Sequence, residues 1–374
     1  MMPPMTASIP ATHHGDLWAV VPAGGAGTRL WPLSRAGAPK FLHDLAGDGR
    51  TLLQATYDRL QPLVGERLLV VTGAAHQVAV RGQLAELPAD QVIAEPSPRD
   101  SMAAIGLAAA IIERQDPDAV IGSFAADHVI ADPEAFRACV TEAAAVARTG
   151  LLVTLGITPD SPSTGFGYIR LGERLDGFPT AHAVDSFVEK PDADTAQAYV
   201  DSGDYRWNAG MFVARASVVL DLLAENHPDL ARDLRAIAAE PQQLDELWDG
   251  LTKIAIDHAI AEPAAAAGKV AVVPGSFGWE DIGDFEALTD LTPAQDSTRE
   301  GTGIKVLGDA ARVFAQQSSG LVVTGTERTI AVLGLENVVV VDTGDAVLVT
   351  TTEHAQDVKS IVEALKAAGR ADLT

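Results

Sequence analysis

Short apolar runs alternate with longer amphipathic segments along the first 156 residues of the chain. The apolar runs predict strands, and they lie at 17–22, 67–72, 91–94, 119–124 and 151–156. The segments between them predict helices, at 52–63, 75–86, 101–114 and 136–148. Thr51 and Gln54 have the spacing of a capping box at the start of the first helix. This alternation predicts an α/β fold with a mostly parallel sheet that helices cover on both faces.

The regular alternation of strands and helices ends in the middle of the chain. Residues 161–170 are rich in Gly, Ser, Thr and Pro and are predicted to be a loop. Strands are predicted at 181–188, 207–214 and 269–273, and helices at 193–200, 216–225, 230–239 and 244–256. We assign residues 16–295 to one catalytic domain and residues 1–15, with Pro3, Pro4 and Pro10, to a flexible leader.

Predicted helices give way to short alternating runs after about residue 296. Six such runs lie between residues 303 and 350, separated by glycine or polar turns at intervals of about 8–10 residues. This spacing predicts a small β module over 296–374, which either a left-handed β-solenoid fragment or a small barrel would satisfy. A helix over 355–368, with Val358, Ile361, Val362 and Leu365 on one face, closes the chain.

The charge balance and the single cysteine limit the classes of partner. Among 374 residues, 27 are Lys or Arg and 51 are Asp or Glu, which gives a net charge of −24. Non-specific binding of nucleic acid or of an anionic membrane needs clustered cations, so neither partner is expected. Cys139 is the one cysteine, which excludes an intrachain disulfide and favours a reducing, cytoplasmic location. Residues 1–15 do not have the basic and apolar regions of a signal peptide, and no apolar run approaches the ~20 residues of a membrane span.

A glycine-rich loop follows the first predicted strand at once. It reads Pro-Ala-Gly-Gly-Ala-Gly-Thr-Arg-Leu-Trp-Pro-Leu over residues 22–33 and continues to Lys40. Glycines here let backbone N–H groups approach phosphate oxygens, while Arg29 and Lys40 add cations. Leu30 stands where the dinucleotide fingerprint needs glycine, and the Gly-Lys-Ser/Thr of a Walker A loop is missing. The loop therefore predicts phosphate binding of another kind.

This loop resembles the signature of the sugar-nucleotidyltransferase family. The continuation Leu-Trp-Pro-Leu-Ser-Arg at 30–35 is similar to the mannose-1-phosphate guanylyltransferase branch of that family. Six further segments match in the same order, at 95–101, 126–128, 165–169, 188–191, 207–212 and 279–283. The resemblance covers roughly residues 17–290 and is weaker over the β module, and it implies a Rossmann-like nucleotidyltransferase domain followed by a β-helix-like tail.

The family reaction joins a sugar 1-phosphate to a nucleoside triphosphate and releases pyrophosphate. For this branch the resemblance implies GTP and mannose 1-phosphate as substrates, GDP-mannose as product and Mg²⁺ as cofactor. It also implies a homodimer, with the β module packing on the catalytic domain or mediating dimerisation. Longer relatives carry a fused isomerase domain, for which this chain is too short, so a single activity is expected.

The resemblance implies that one group of residues binds the nucleotide. Arg29 and Lys40 hold the triphosphate and stabilise the transition state, and Glu95 accepts the two N–H donors of guanine. The alternative for Glu95 is a salt bridge with Arg99 within the loop. The expected nucleotide-binding residues are Ala23, Gly24, Gly25, Gly27, Thr28, Glu95, Arg99, Asp100 and Ser101.

A second group is assigned to the sugar phosphate and the metal. Lys190 holds the phosphate, while Glu189, the Gly167 backbone and Asn208 bind the sugar. Adjacent residues on a strand point to opposite faces, which argues against a simple ion pair between Glu189 and Lys190. The expected metal ligands are Asp127 and Asp281, with Glu280 and Asp284 as nearby competitors.

Three positions depart from the family pattern. Asp100 stands where relatives usually carry Asn, Ala125 where they often carry Pro, and Ala209 where Ser is common. These changes leave the base and the sugar less defined than the reaction class. The alternatives are therefore another sugar 1-phosphate such as glucose or a heptose, another nucleoside triphosphate, or a catalytically silent regulator that binds a nucleotide sugar. The regulator is disfavoured by the retained site residues, namely Arg29, Lys40, Asp127, Lys190 and Asp281. The failed fingerprint argues against an NAD-dependent oxidoreductase.

Overall fold

A computed structural model describes residues 16–25, 27–293 and 303–374. The predicted leader over 1–15 and the predicted boundary at 295/296 lie outside the described residues. Within the described part, no helix is both long and apolar enough to cross a bilayer.

The described strands and helices follow the predicted order closely. The strands are β1 (Leu17–Ala23), β2 (Leu68–Gly73), β3 (Val92–Glu95), β4 (Val120–Ser123), β5 (Val129–Ile130), β6 (Leu152–Ile157), β7 (Tyr168–Arg174), β8 (His182–Val188), β9 (Tyr205–Arg215), β10 (Val270–Gly275), β11 (Trp279–Glu280), β12 (Gly303–Leu307), β13 (Val313–Gln316), β14 (Ser319–Thr324), β15 (Ile330–Leu333), β16 (Val338–Asp342) and β17 (Val347–Thr351). The α-helices are α1 (Leu52–Val64), α2 (Gln77–Gln83), α3 (Asp100–Gln115), α4 (Pro133–Ala147), α5 (Ala193–Ser202), α6 (Ala216–Asn226), α7 (Pro228–Ala239), α8 (Leu244–Trp248), α9 (Glu262–Ala266), α10 (Phe285–Leu291) and α11 (Val358–Ala367).

A nine-stranded mixed sheet forms the centre of the catalytic part. Its order is β3-β2-β1-β4-β9-β6-β10-β8-β7. Strands β1 to β4 are parallel to one another, as the helix–strand alternation predicts, and so are β6 and β10. Strands β7, β8 and β9 pair antiparallel with their neighbours. The first half of the sheet therefore has all its carboxyl ends at one edge, which is where ligands bind in such folds.

Alternate residues of strand β1 pack into two separate hydrophobic cores, one on each face of the sheet. Leu17, Ala19 and Val21 face a core that includes helices α1 and α4. Val20 faces the opposite core, built largely from α3, α6 and α7. The capping box predicted for α1 is present, because Thr51 Oγ1 accepts a hydrogen bond from Gln54 N and Gln54 Oε1 accepts one from Thr51 N. Both faces of the sheet are thus covered, as predicted.

Two local predictions in the middle of the chain were wrong. The loop predicted over 161–170 ends early, because β7 begins at Tyr168 and pairs with both β8 and β9. The helix predicted over 244–256 ends at Trp248, and helical structure resumes only in a π-helical turn at Asp257–Ala261. Between them, Ile254 O accepts a hydrogen bond from Met102 N and Ile256 N donates to Ser101 Oγ. These bonds to α3 replace the backbone bonds that a helix would have made.

The β module is a coil of parallel strands, so the solenoid prediction is confirmed and the barrel alternative is wrong. Strands β12 to β16 alternate between two sheets, one with the order β12-β14-β16-β17 and one that pairs β13 with β15. Strands β12, β14 and β16 are parallel, and β17 closes the larger sheet by pairing antiparallel with β16.

The β module shares a hydrophobic core with the glycine-rich loop, which we call the shared core. From the catalytic part it contains Leu30, Trp31 and Ile282, and from the module it contains Val341 and Leu348 among others. Two polar contacts lie at its border. Arg35 makes a bidentate ion pair with Asp345, whose nearest N–O distance is 2.6 Å, and Trp31 Nε1 donates to the carbonyl of Leu373 at 2.7 Å. The module therefore supports the loop that follows β1.

Candidate active site

The glycine-rich loop turns tightly at two described glycines. Gly25 and Gly27 have φ values of +86° and +56°, a region that side chains disfavour. A Cβ on Gly27 would lie 2.9 Å from Ser34 Oγ and 3.0 Å from Lys40 Cβ, so this glycine also permits close packing of the loop on itself. A short 3₁₀ turn at Thr28–Leu30 follows and leaves Arg29 exposed.

Lys40 joins the two predicted metal ligands. Its Nζ lies 2.9 Å from Asp127 Oδ2 and 3.2 Å from Asp281 Oδ1, and it also donates to the Asp281 and Ile282 carbonyls. Burial by itself would lower the pKa of Lys40, but the two carboxylates outweigh burial and raise it. Burial by itself would raise the pKa of Asp281, yet the charge of Lys40 opposes burial and holds this pKa below the usual range. The structure therefore brings Asp127 and Asp281 together around one buried ammonium group.

Helix α1 positions the loop that carries Asp127. Arg59 is buried, and its Nη2 donates to His128 O at 2.7 Å and to Thr56 Oγ1. Thr56 Oγ1 in turn lies 3.4 Å from the carbonyl of Ala126. Burial lowers the pKa of Arg59 to about 10, although Asp127 opposes the shift.

His128 has a defined tautomer in this arrangement. Trp279 Nε1 can only donate, so the contact of 3.1 Å makes His128 Nδ1 an acceptor. The ring proton therefore lies on Nε2, which is 3.9 Å from Asp281 Oδ1. Burial lowers the pKa of His128, against the pull of Asp127 and Asp281. A neutral imidazole thus faces the two aspartates.

The predicted sugar-binding residues line a cavity of about 230 Å³. Its wall contains Gly167, Glu189, Asn208 and Asp281, together with Asp257, which the sequence analysis did not select. A Cβ on Gly167 would lie 2.4 Å from Glu189 Oε2, so only glycine lets the backbone approach this carboxylate. Glu189 Oε2 itself is buried without a hydrogen-bond partner in the described residues.

The expectation that Glu189 and Lys190 point apart was wrong. Strand β8 ends at Val188, so strand alternation does not extend to these two residues. Lys190 has a φ of +48°, and its Nζ lies 2.6 Å from Glu189 Oε1. Burial alone would lower the pKa of Lys190, but Glu189 outweighs it and raises the pKa. The Lys190 side chain is 61% exposed and lies on the rim, whereas that of Glu189 is 10% exposed.

A second cavity of about 440 Å³ adjoins the first. Six of the nine predicted nucleotide-binding residues form its wall, namely Gly24, Gly25, Glu95, Arg99, Asp100 and Ser101, and Asp127 and Lys253 are also part of it. Ala23 is buried at the end of β1. Gly27 and Thr28 lie in the adjoining turn of the loop.

Glu95 and Arg99 are not joined as the alternative interpretation required. Arg99 Nη2 bonds to Asp249 Oδ1 at 2.9 Å and to its carbonyl, and Arg99 Nε donates to the carbonyl of Trp248. Glu95 is 8% exposed, and its Oε1 has no hydrogen-bond partner in the described part of the chain. Burial raises the pKa of Glu95 to about 7. A buried carboxylate with one unpaired oxygen in the described residues therefore belongs to the wall of the second cavity.

Lys253 and Asp257 were not predicted as site residues, because Lys253 lies within the helix predicted over 244–256 and Asp257 directly after it. Lys253 is exposed at the second cavity, and Asp257 lies at the first. The available signal was a carboxylate that directly follows the apolar stretch Ile254-Ala255-Ile256.

Comparison with known families accounts for nearly the whole chain. Residues 18–298 match the nucleotidyl transferase family, and residues 312–365 match the mannose-phosphate isomerase/GMP-like β-helix domain. The chain belongs to the nucleotidyl transferase family. The predicted α/β domain and β-helix-like tail are those of this family pair, so the resemblance inferred from the glycine-rich loop is confirmed.

Individual relatives of this nucleotidyl transferase match over most of its length. The xanthan biosynthesis protein XanB of Xanthomonas campestris pv. campestris is 40% identical over 96% of this chain and 75% of its own length. The mannose-1-phosphate guanylyltransferase ManC of Salmonella typhimurium is 42% identical over 95% of this chain and 74% of its own. A crystal structure from Thermus thermophilus, described as a mannose-1-phosphate geranyltransferase, has a TM-score of 0.81 at 33% identity and covers 94% of this chain and 99% of that one.

Proposed function

We propose that this nucleotidyl transferase transfers a guanylyl group from GTP to α-D-mannose 1-phosphate, giving GDP-mannose and pyrophosphate. The observation that carries the proposal is the junction of the two cavities. Asp127 belongs to the wall of the larger cavity and Asp281 to the wall of the smaller one, and Lys40 is bonded to both. Two anionic substrates placed in the two cavities would meet at this cluster.

The reaction needs charge neutralisation rather than a general base. The second pKa of a phosphate monoester is about 6, so the sugar phosphate is already a nucleophile near neutral pH. Its oxygen attacks the α-phosphorus in line, a P–O bond forms, and the bond to the pyrophosphate oxygen breaks. In our proposal Arg29 and Lys40 stabilise the charge on the transferring group, and Lys190 on the rim holds the sugar phosphate.

The two aspartates fit a divalent cation. Nucleotidyltransferases of this kind generally use a divalent metal, and we propose Mg²⁺, which prefers hard oxygen ligands. Within the described ranges no three His, Cys, Asp or Glu side chains form a metal cluster, so Asp127 and Asp281 would hold the ion together with substrate oxygens. When bound, such an ion would neutralise phosphate charge.

In our proposal the larger cavity recognises the base and the smaller cavity recognises the sugar. We propose that the Glu95 carboxylate accepts the N1–H and N2–H₂ donors of guanine, supported by its burial and its unpaired oxygen. Glu189 and the Gly167 backbone face the sugar. Asp100 begins α3 with a φ of +65°, and its Oδ1 accepts a hydrogen bond from Ser101 N. This carboxylate is therefore turned toward its own helix.

Pyrophosphate release from matched substrate pairs tests the proposal. GTP, ATP, UTP and dTTP are each combined with mannose, glucose and heptose 1-phosphates, with Asp127→Asn as the inactive control. We expect the highest kcat/KM for GTP with mannose 1-phosphate and a loss of activity on metal chelation. A higher kcat/KM for another pair would replace the substrate assignment, and no release with any pair despite tight GDP-mannose binding would indicate the regulator instead.

We also propose a homodimer in the cytoplasm. The buried free thiol of Cys139 fits a reducing compartment, and Leu333 and Val349 leave apolar surface on the β module, with 70% and 65% of their area exposed. Light scattering after size exclusion would test the dimer, and a molecular mass of about one chain would contradict it.

A further inference from the structure

Asp257 directly follows the non-helical break within residues 244–256, which the sequence predicts to be one helix. It begins the π-helical turn, directly after the segment that α3 holds through Ile254 O and Ile256 N. Both bonding partners, Met102 N and Ser101 Oγ, belong to the first turn of α3. The segment is therefore fixed by tertiary bonds, and it directs Asp257 to the smaller cavity.

Asn208 fixes the orientation of the Asp257 carboxylate. The Oδ1 of Asn208 accepts hydrogen bonds from Thr154 Oγ1 at 2.9 Å and from Gly210 N at 3.1 Å. Its amide nitrogen must then point the other way, and Nδ2 donates to Asp257 Oδ1 at 2.7 Å. Asn208, which the resemblance assigns to sugar binding, thus also orients Asp257 at the wall of this cavity.

The charge of this cavity suits hydroxyl groups better than phosphate. Glu189, Asp257 and Asp281 all belong to its wall, and ionised carboxylates only accept hydrogen bonds. The Glu189 side chain is nine-tenths buried, with one oxygen unpaired in the described residues. A ring carrying several O–H donors satisfies such acceptors, whereas the phosphate of the same substrate would be repelled by them and is placed beside Lys190 on the rim.

We propose that Asp257 accepts a hydrogen bond from one hydroxyl of the sugar and so helps to select the sugar 1-phosphate. This inference rests on the proposed function, because it takes the smaller cavity as the sugar site. Sites that bind a substrate hydroxyl discriminate strongly against analogues that do not have it, since a buried acceptor is then left unpaired. Asp257 would thus contribute to specificity through the sugar ring and not through the reacting phosphates.

The variant Asp257→Asn isolates this bond. Asn208 Nδ2 needs an acceptor, so the new amide must turn its oxygen toward Asn208 and its NH₂ toward the cavity. An acceptor for the sugar becomes a donor while the volume is unchanged. We expect kcat/KM for mannose 1-phosphate to fall about 10- to 100-fold, with KM for GTP unchanged within about twofold.

Deoxy analogues distinguish contact from a general structural effect. The 2-, 3-, 4- and 6-deoxymannose 1-phosphates are compared with mannose 1-phosphate in the native protein and in Asp257→Asn. We expect one analogue to be poor with the native protein and to match mannose 1-phosphate in the variant, while the other three keep their ratios. Unchanged ratios for all four, or equal changes in all four, would overturn the proposal.

Two controls complete the design. Glu262→Gln removes a carboxylate from the next helical turn, where it pairs with His258 at 2.8 Å, and should leave every ratio unchanged. Thermal unfolding confirms that each variant folds. If the native protein releases no pyrophosphate with mannose 1-phosphate, the proposed substrate fails, and the same cycle is run with the deoxy forms of the sugar phosphate that it does use.

Discussion

The ammonium nitrogen of Lys40 lies 2.9 Å from Oδ2 of Asp127. Lys40 belongs to the loop after β1, and Asp127 follows β4, so the contact joins the carboxyl ends of two parallel neighbours in the sheet. The Lys40 side chain is only 7% exposed, which makes it a buried cation with Asp281 as its second partner. The arrangement holds two carboxylates together that would otherwise repel each other.

Lys40→Met should therefore reduce catalysis strongly. The substitution keeps the length of the side chain but removes the charge that holds Asp127 and Asp281 and that we assign to the transferring phosphate. We expect kcat for pyrophosphate release to fall by about 100-fold or more. Lys359→Met, at a lysine with a 61% exposed side chain, is the matched control and should be silent. A Lys40→Met variant with kcat within about threefold of the native value would refute the assignment.

The raised pKa of Glu95 predicts a pH-dependent choice of base. Burial raises this pKa to about 7, so the carboxylate is protonated at lower pH and can no longer accept both guanine donors. The ratio of kcat/KM for GTP over ATP should fall about tenfold per pH unit below pH 7. Because both nucleotides carry the same triphosphate, the ratio to ATP removes the effect of titrating the triphosphate itself. Glu95→Gln should show a low ratio without this pH dependence, and a variant that keeps the native ratio would contradict the role of Glu95 in reading guanine.

The same pKa makes a separate prediction about stability. The pKa of Glu95 rises from 4.5 to about 7 on folding, so its contribution to stability is complete below pH 4.5 and is lost as the pH rises through 7. Glu95→Gln removes this loss. We expect the variant to have the native Tm near pH 4.5 and a higher Tm than the native protein at pH 8. Parallel melting curves of the two proteins would contradict the prediction.

Arg59→Leu should weaken both stability and activity. It leaves the carbonyl of His128 without its buried donor, at a cost of about 1–3 kcal/mol in the free energy of unfolding. It also frees the loop of Asp127, so we expect kcat to fall more than KM for GTP rises. Urea unfolding and pyrophosphate release measure the two effects. Arg232→Leu, at a guanidinium with a 66% exposed side chain, should change the free energy of unfolding by less than about 0.5 kcal/mol.

Substitution of two valines of the β module distinguishes an effect on stability from an effect on the glycine-rich loop. Val341 belongs to the shared core, whereas Val322 belongs to a smaller core within the module, and both are 0% exposed. Val→Ala at either position should lower Tm by a similar amount, because each removes two buried methyl groups. Only Val341→Ala should also raise KM for GTP. Equal values of KM in the two variants would show that the module does not support the loop.

The sequence could predict the elements that repeat a simple pattern. The strands and helices up to β6, except the two-residue strand β5, follow from apolar runs and a capping box, and the solenoid strands follow from regular spacing. The glycine-rich loop predicts phosphate binding because Gly25, Gly27 and Arg29 have the chemistry for it within a few residues, and this role remains a prediction. The proximity of Asp127 and Asp281 came only from the resemblance, since nothing in the spacing places them together.

The rest depended on tertiary bonds that a one-dimensional pattern does not carry. The segment from Asp249 to Ile256 was predicted to continue a helix, yet bonds to Arg99, Ser101 and Met102 hold it in a non-helical path. Asp257 directly follows this segment, and no pattern in the sequence shows that the path directs it to the smaller cavity. The contact between Glu189 and Lys190 was missed because strand β8 ends one residue before the pair.

The bond from Trp31 to the carbonyl of Leu373 has a consequence for the order of events during translation. The two residues are 342 positions apart, and the shared core collects side chains from both parts of the chain. A ribosome releases the glycine-rich loop early, while most of its packing partners have not yet been made. The central sheet can assemble on the nascent chain, but the loop reaches its final support only when the β module has emerged. A chain interrupted after the central sheet would therefore contain the residues of the second cavity, but its glycine-rich loop would not have the support of the β module.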